Sequence, residues 1–329
     1  MRTWGLALGP VLRHAVRRLQ VRAELTGGMT SSGDLLQQGR GDPRSTGELI
    51  RLALNEEDEH AAWEPVSVLH CRPTPEVLAA AERLCFSYVP KERALGANIL
   101  GQLGVPERAF PEDCFRILRE MLGRQQDPLV IEAIGVAFGH LHDKRAIPLL
   151  VPFSKHPDKE VRFGVVQGIS KHPDATAIAT LIELTKDEDE DVRNWATFGL
   201  GSQTDLDTAE IRAALLERVT DSHNETRGEA LVGLARRKDP RALEPIIQEL
   251  RSEHIGILAL EAAETLGDPR LLPALLRLEH DWQRDEDDHV KTLRDALAKL
   301  FCPRTLLICE YRFAARQSKW PRSRLTINH

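Results

Sequence analysis

Three stretches of the chain read as variants of one another: Asp158-Lys-Glu-Val161-Arg162, Asp189-Glu-Asp-Val192-Arg193 and His223-Asn-Glu-Thr226-Arg227. With the Val or Thr taken as position zero, equivalent residues recur at Ala61, Glu92, Val130, Val161, Val192, Thr226, Ile255 and Val290, in steps of 29 to 38 residues. From position zero, small or apolar residues return at +4, +7, +8 and +11, as Ile255, Ala259, Ala262, Ala263 and Leu266 illustrate. That spacing is one face of an α-helix. A seam renewed at this period is buried only by stacking like units side by side. The pattern therefore predicts an all-α fold, an α-solenoid of about eight helical hairpins over residues 45–300.

Local signals support two helices per unit. Asp58, Asp127, Asp158, Asp189, Ser252 and Asp287 stand three residues before position zero, where a side-chain oxygen can accept from the free N–H groups that open a helix. After that helix comes a punctuation mark, Asp143-Lys-Arg-Ala-Ile, Asp239-Pro-Arg-Ala-Leu or Asp268-Pro-Arg-Leu-Leu, and then a second apolar run. Pro148, Pro245 and Pro273 fall in the first turn of that run, where a missing N–H costs little. At +7 stand Val68, Ile99, Ala137, Gly168, Gly199, Gly233, Ala262 and Leu297, mostly small, so the glycines read as packing devices rather than phosphate loops. Glu92 and Arg294 put charge at apolar positions, and Pro65 is expected to kink its helix.

The strings Glu92-Arg-Ala-Leu-Gly-Ala-Asn-Ile-Leu-Gly-Gln-Leu-Gly104 and Asp191-Val-Arg-Asn-Trp-Ala-Thr-Phe-Gly-Leu-Gly201 resemble the V-R-x-x-A-x-x-A-L-G-x-L-G signature of bacterial HEAT-like repeats of the phycobilisome-lyase type. The resemblance spans about residues 45–300 and speaks to fold rather than activity, because such repeats serve scaffolds, adaptors and a few enzymes. It implies a right-handed superhelix whose concave layer is made of one helix of each pair, helix B. The HEAT-fold deoxyhypusine hydroxylases carry repeated His-Glu pairs; this sequence has no His-Glu dipeptide.

Charge divides the chain. Five arginines against Glu24 in residues 1–30, and six basic residues against Glu310 in residues 301–329, make both ends basic. The overall net charge of -6 therefore conceals a strongly acidic middle, which disfavours nucleic acid as a partner of the repeats. Residues 1–44, rich in basic residues, Gly and Ser, form a flexible N-terminal segment in this reading, with Met29 an alternative start, and residues 301–329 form a basic tail. Cys71, Cys85, Cys114, Cys302 and Cys309 are widely spaced with no C-x-x-C pair, which reads as free thiols in a reducing cytoplasm. No stretch offers the roughly 18 uncharged apolar residues of a membrane span.

Chemistry is sparse. There is no G-x-S-x-G, no glycine-rich nucleotide loop and no nucleophile–base–orienter set, so no catalytic residue, metal or cofactor is expected. His140, His142 and His172 are placed to converge near the ends of adjacent helices, although histidines there commonly cap carbonyls. The acidic turns at 56–59, 187–191 and 285–288 lack an EF-hand's glycine and terminal glutamate. They suit helix N-termini, and they leave room for a basic protein partner. Arg93, Arg162, Arg193 and Arg227 at +1 read as a structural ladder reaching to neighbouring acidic turns. The functional expectation is a non-catalytic protein–protein scaffold that binds its partner along the concave helix B surface through Trp63, Phe163, Gln167, Asn194 and Trp195. The alternative is a bilin lyase-like or other small-ligand-handling HEAT protein.

Overall fold

The computed structural model describes residues 41–124, 127–253, 255–281 and 288–300. The two basic ends lie outside the described residues, apart from 41–44. Among the described residues every regular element is helical, and the α-helices form eight successive pairs. They are α1 (Thr46–Asn55) with α2 (Glu59–His70), α3 (Pro75–Cys85) with α4 (Pro90–Gln102), α5 (Pro111–Leu122) with α6 (Pro128–Leu141), and α7 (Ile147–Leu150) with α8 (Lys159–Ile169). Then come α9 (Ala175–Leu184) with α10 (Glu190–Ser202), α11 (Ala209–Arg218) with α12 (Asn224–Arg236), α13 (Leu243–Glu249) with α14 (Ile257–Leu266), and α15 (Leu272–Asp281) with α16 (Asp288–Leu300). The even-numbered helices carry position zero. Two compact units divide at Thr180 and Leu181, inside α9. In the first, α2, α4, α6 and α8 stack in succession; in the second, α10, α12, α14 and α16 do the same. Within each unit the packing is that of an α-solenoid.

The predicted caps explain where most of these helices start. Asp58 accepts from the Ala61 N–H at 2.9 Å, Asp127 from Leu129 at 3.1 Å and Asp158 from Glu160 at 2.8 Å, while Asp189 takes both Asp191 and Val192. Asp287 lies outside the described residues. Ser252 is a correction. Its hydroxyl donates to the Glu249 carbonyl and closes the end of α13, and α14 begins only at Ile257, with Gly256 before it. Every other even-numbered helix starts two residues before position zero, so the residue that fills this role in α14 is Ala259, one turn beyond Ile255. A stripe that repeats every four residues looks the same after a one-turn shift, which is why the pattern mis-set this register.

The punctuation motif is a clamp. In Asp42-Pro-Arg44, Asp143-Lys-Arg145, Asp239-Pro-Arg241 and Asp268-Pro-Arg270, the carboxylate accepts from both the backbone N–H and the guanidinium of the arginine two residues on. At the buried Asp239 a second guanidinium, from Arg212, joins that of Arg241, and the two hold its pKa well below the usual carboxylate range. The longer connection after α10 is held differently. Arg237 donates to the carbonyls of Leu200, Gly201, Thr204, Leu206 and Gly233 at 2.7–3.1 Å, so one planar fork satisfies five acceptors that a loop would otherwise leave open.

Stacking brings backbones into contact. A Cβ on Gly164 of α8 would sit 2.8 Å from the Glu132 Cα and 2.9 Å from its carbonyl oxygen on α6, and a Cβ on Gly233 of α12 would sit 2.6 Å from the Gly201 Cα on α10. The even helices are consequently buried round most of their circumference: α8 buries Val161–Val166, Gly168 and Ile169, and α12 buries Thr226 and Gly228–Ala235. Odd helices bury one stripe, as in Cys114, Phe115, Ile117, Leu118, Met121 and Leu122 of α5. Glu92 is accommodated because the Ser87 hydroxyl donates to its carboxylate, and Arg294 faces outward. Pro65 lies in the interior of α2.

Two stability measurements check this account. Gly164→Ala should cost about 1–3 kcal/mol in urea unfolding through overpacking, whereas Gly47→Ala, with open space around it, should be neutral or slightly stabilising. Arg237→Lys keeps the charge but cannot span five carbonyls, and should cost at least about 2 kcal/mol.

Candidate interaction surface

The four arginines at +1 share one geometry. The Nη1 of Arg93 donates to the carbonyls of Ser87 and Tyr88, that of Arg162 to His156 and Pro157, that of Arg193 to Asp187 and Glu188, and that of Arg227 to Asp221 and Ser222. In each case the acceptors lie six and five residues back, in the turn that leads into the helix. The arginine therefore ties its own turn shut. Arg193 also reaches onward to grip both oxygens of Asp221 at 2.9 and 3.1 Å, as Arg227 grips Glu249 at 2.8 Å. Burial alone would raise the pKa of Asp221, yet Arg193 and the His223 N–H bring it below the usual carboxylate value.

The residues expected to touch a partner are mostly enclosed. Phe163 is 2% exposed, Asn194 1% and Trp195 3%, and the Trp195 ring meets Phe198 edge-on at 5.6 Å. These three are corrections: side chains at +2 and +3 of α8 and α10 point into packing, because those helices are covered on more than one face. Trp63 and Gln167 stay half-buried, and Trp63 lies 6.5 Å from the His70 ring.

Among the described residues, three exposed apolar side chains lie together in one turn. Between α3 and α4 the chain reads Phe86-Ser-Tyr-Val89, and Phe86, Tyr88 and Val89 are all exposed, Tyr88 entirely. The equivalent turns in other repeats are acidic or proline-bearing, such as Lys186-Asp-Glu-Asp189 and Lys155-His-Pro-Asp158. This turn and the end of α5 enclose an open pocket lined by Phe86, Tyr88, Arg93, Met121, Arg124 and Asp127. Arg124 stands 5.6 Å from the centre of the Phe86 ring and pairs with Glu120 at 2.7 Å. Sequence reasoning passed over the site because it searched the helices. The signal was the loss of acidity at one turn of a repeated series.

Comparison with known proteins fits this frame. A family model described as HEAT repeats matches residues 115–201. Protein YibA of Escherichia coli K12 is 32% identical over 237 residues, spanning 69% of this chain and 82% of YibA. The chain belongs to the HEAT-repeat family. The X-ray structure of YibA matches with a TM-score of 0.60 at 28% identity, covering 83% of this chain and 97% of that one. The complex of CpcE and CpcF of phycocyanin lyase from Nostoc sp. PCC7120 matches at 17% identity with a TM-score of 0.42, covering 79% and 96%. So low a likeness transfers neither chromophore nor partner to this HEAT-repeat chain.

Among the described residues of this HEAT-repeat chain, no three His, Cys, Asp or Glu side chains gather as a metal site. Of the three histidines expected to converge, His142 and His172 do meet, with rings stacked at 4.8 Å and 12°. Burial, then the nearby His142, lowers the pKa of the His172 ring. Cys71, Cys85 and Cys114 are buried free thiols, and burial pushes Cys85 and Cys114 up to about 12, which keeps them protonated and unreactive. His70 is fully enclosed, with Nε2 donating to the Asn98 carbonyl at 3.0 Å, and burial pushes its pKa down to about 4.

A pH dependence follows. The folded chain holds His70 neutral, while the unfolded chain protonates it near its ordinary value of 6.5, so its stabilising effect is complete above 6.5 and is lost as pH falls towards 4. His172 acts with the same sign. The full loss from His70 is about 3 kcal/mol. Urea midpoints should fall between pH 7 and pH 5, and His70→Gln should flatten that decline.

Proposed function

We propose that the chain is a non-catalytic protein-interaction module whose first unit presents the turn of Phe86, Tyr88 and Val89 to a protein partner. The observation that carries this reading is the exposure of three neighbouring large apolar side chains in a chain that packs most others away. Such residues beside a pocket are the usual anchors of a protein interface, where buried aromatics contribute most of the binding energy. Membership of the HEAT-repeat family supports an interaction role, since stacked repeats offer long surfaces and few enclosed cavities. The acidic turn at 56–59, in the same unit, supplies a polar setting suited to basic side chains at the partner's rim.

The test is affinity for the partner recovered from the native cell and then purified. Replacing Tyr88 and Val89 together with Ser removes exposed surface, so the circular dichroism spectrum and unfolding midpoint should stay unchanged. Partner affinity should fall at least about tenfold, as expected when an anchoring aromatic is lost. Leu129→Ser, at another exposed apolar residue, is the control and should bind normally. Equal binding by all three proteins would exclude this turn as the docking surface.

A further inference from the structure

Two arginine rungs receive a carboxylate of the following helix pair, and a third, built from the same atoms, receives none. Arg193 receives Asp221 and Arg227 receives Glu249, each through the Nε edge of the guanidinium. Arg93 is anchored identically, with Nη1 on the Ser87 and Tyr88 carbonyls, yet its Nε is buried and makes no hydrogen bond. For the contact of the Arg193 type the sequence accounts for the difference. Asp221 stands five residues before position zero of its helix, and the residue five before Val130 is Gln125, with Arg124 beside it. Neither acid near the pocket is hydrogen-bonded to that Nε: Asp127, which lines the pocket, accepts from the Leu129 N–H, and Glu120 pairs with Arg124. Arg93 instead faces the open pocket, among Phe86, Tyr88, Met121 and Arg124.

We infer that the Arg93 guanidinium is a receptor for a carboxylate supplied from outside, a glutamate or aspartate side chain that a protein partner presents beside an apolar residue. The chain itself displays the chemistry, because Asp221 on Arg193 is the internal form of the same contact. An arginine fork suits it, since two parallel N–H donors match the two oxygens of one carboxylate. Phe86, Tyr88 and Met121 line the same pocket and suit an apolar neighbour, and Arg124, over the Phe86 ring, adds a second positive charge. This inference rests on the docking turn proposed above and adds which chemical group the partner inserts.

The experiment uses the full-length chain labelled with nitrogen-15 and observed at its arginine Nε–H resonances. The probes are the capped peptide acetyl-Leu-Glu-Phe-amide and its glutamine counterpart. The Arg93 signal, assigned by its absence in Arg93→Lys, should shift saturably with the glutamate peptide at millimolar concentrations and at least about tenfold more weakly with the glutamine peptide. Tyr88→Ala and Arg124→Gln, both at exposed side chains, should keep the signal and weaken peptide binding several-fold, which locates the site even if Arg93→Lys fails to fold. No shift, or equal response to the two peptides, overturns the carboxylate assignment and leaves the docking turn standing. Glutamate-selective binding to Arg93, in a chain whose Tyr88 and Val89 variant still holds its partner normally, overturns the docking turn instead.

Discussion

The contact on which the rest depends is that of one position-zero helix against the next at the level of the backbone. Gly164 against Glu132, and Gly233 against Gly201, leave no room for a side chain between helices. At that distance dispersion and apolar burial are gained along the whole length of both helices, and the flanking positions are enclosed as well. Three consequences follow. Side chains at +2 and +3 become core, as Phe163 and Trp195 are. The turns become the principal surface. And the turns between closely packed helices are tied by side chains that donate to backbone carbonyls, as the arginines at +1 and Arg237 do.

Much of this was legible in the sequence because the repeat supplies its own controls. One copy of a helical stripe is ambiguous, but several copies in register placed the caps of α2, α6, α8 and α10 and mis-set that of α14. Four aspartates placed as caps do cap, because an N-cap depends on a local hydrogen bond that needs only the right oxygen at the right position. The arginine ladder was anticipated as a bridge to neighbouring acidic turns. Arg193 makes that bridge to Asp221, Arg227 reaches Glu249 at the end of a helix instead, and the pair of carbonyls that each of the four arginines holds in its own turn was not anticipated. Carbonyls carry no signature in a sequence, so a purely backbone acceptor set stays invisible until the turn is seen folded.

The partner-facing residues were misjudged for a different reason. Hydrophobic period reveals which face of a helix is most buried, but it says nothing about how far round the helix burial continues, which is set by neighbours distant in sequence. Asn194 and Trp195 look like polar and amphipathic surface residues by type, yet they sit in a helix covered on several sides. The informative question was where one repeat departs from its siblings. Phe86-Ser-Tyr-Val89 departs from them in a turn, where packing demands no apolar residue and where acidic side chains are elsewhere the rule.

That comparison between siblings also separates stability from function at a single type of residue. An arginine whose fork is filled from within, as Arg193 is by Asp221, joins two helix pairs and leaves little for a visitor, since both side chains are largely buried. An arginine whose fork is empty holds its own turn equally well, because Arg93 keeps both carbonyl contacts through Nη1 alone. The turn is thus secured by one edge of the guanidinium while the other edge is left to vary between repeats. The acid that meets that edge comes from a turn for Arg193 and from the end of a helix for Arg227, so it varies without disturbing the contacts between backbones that keep the stack together.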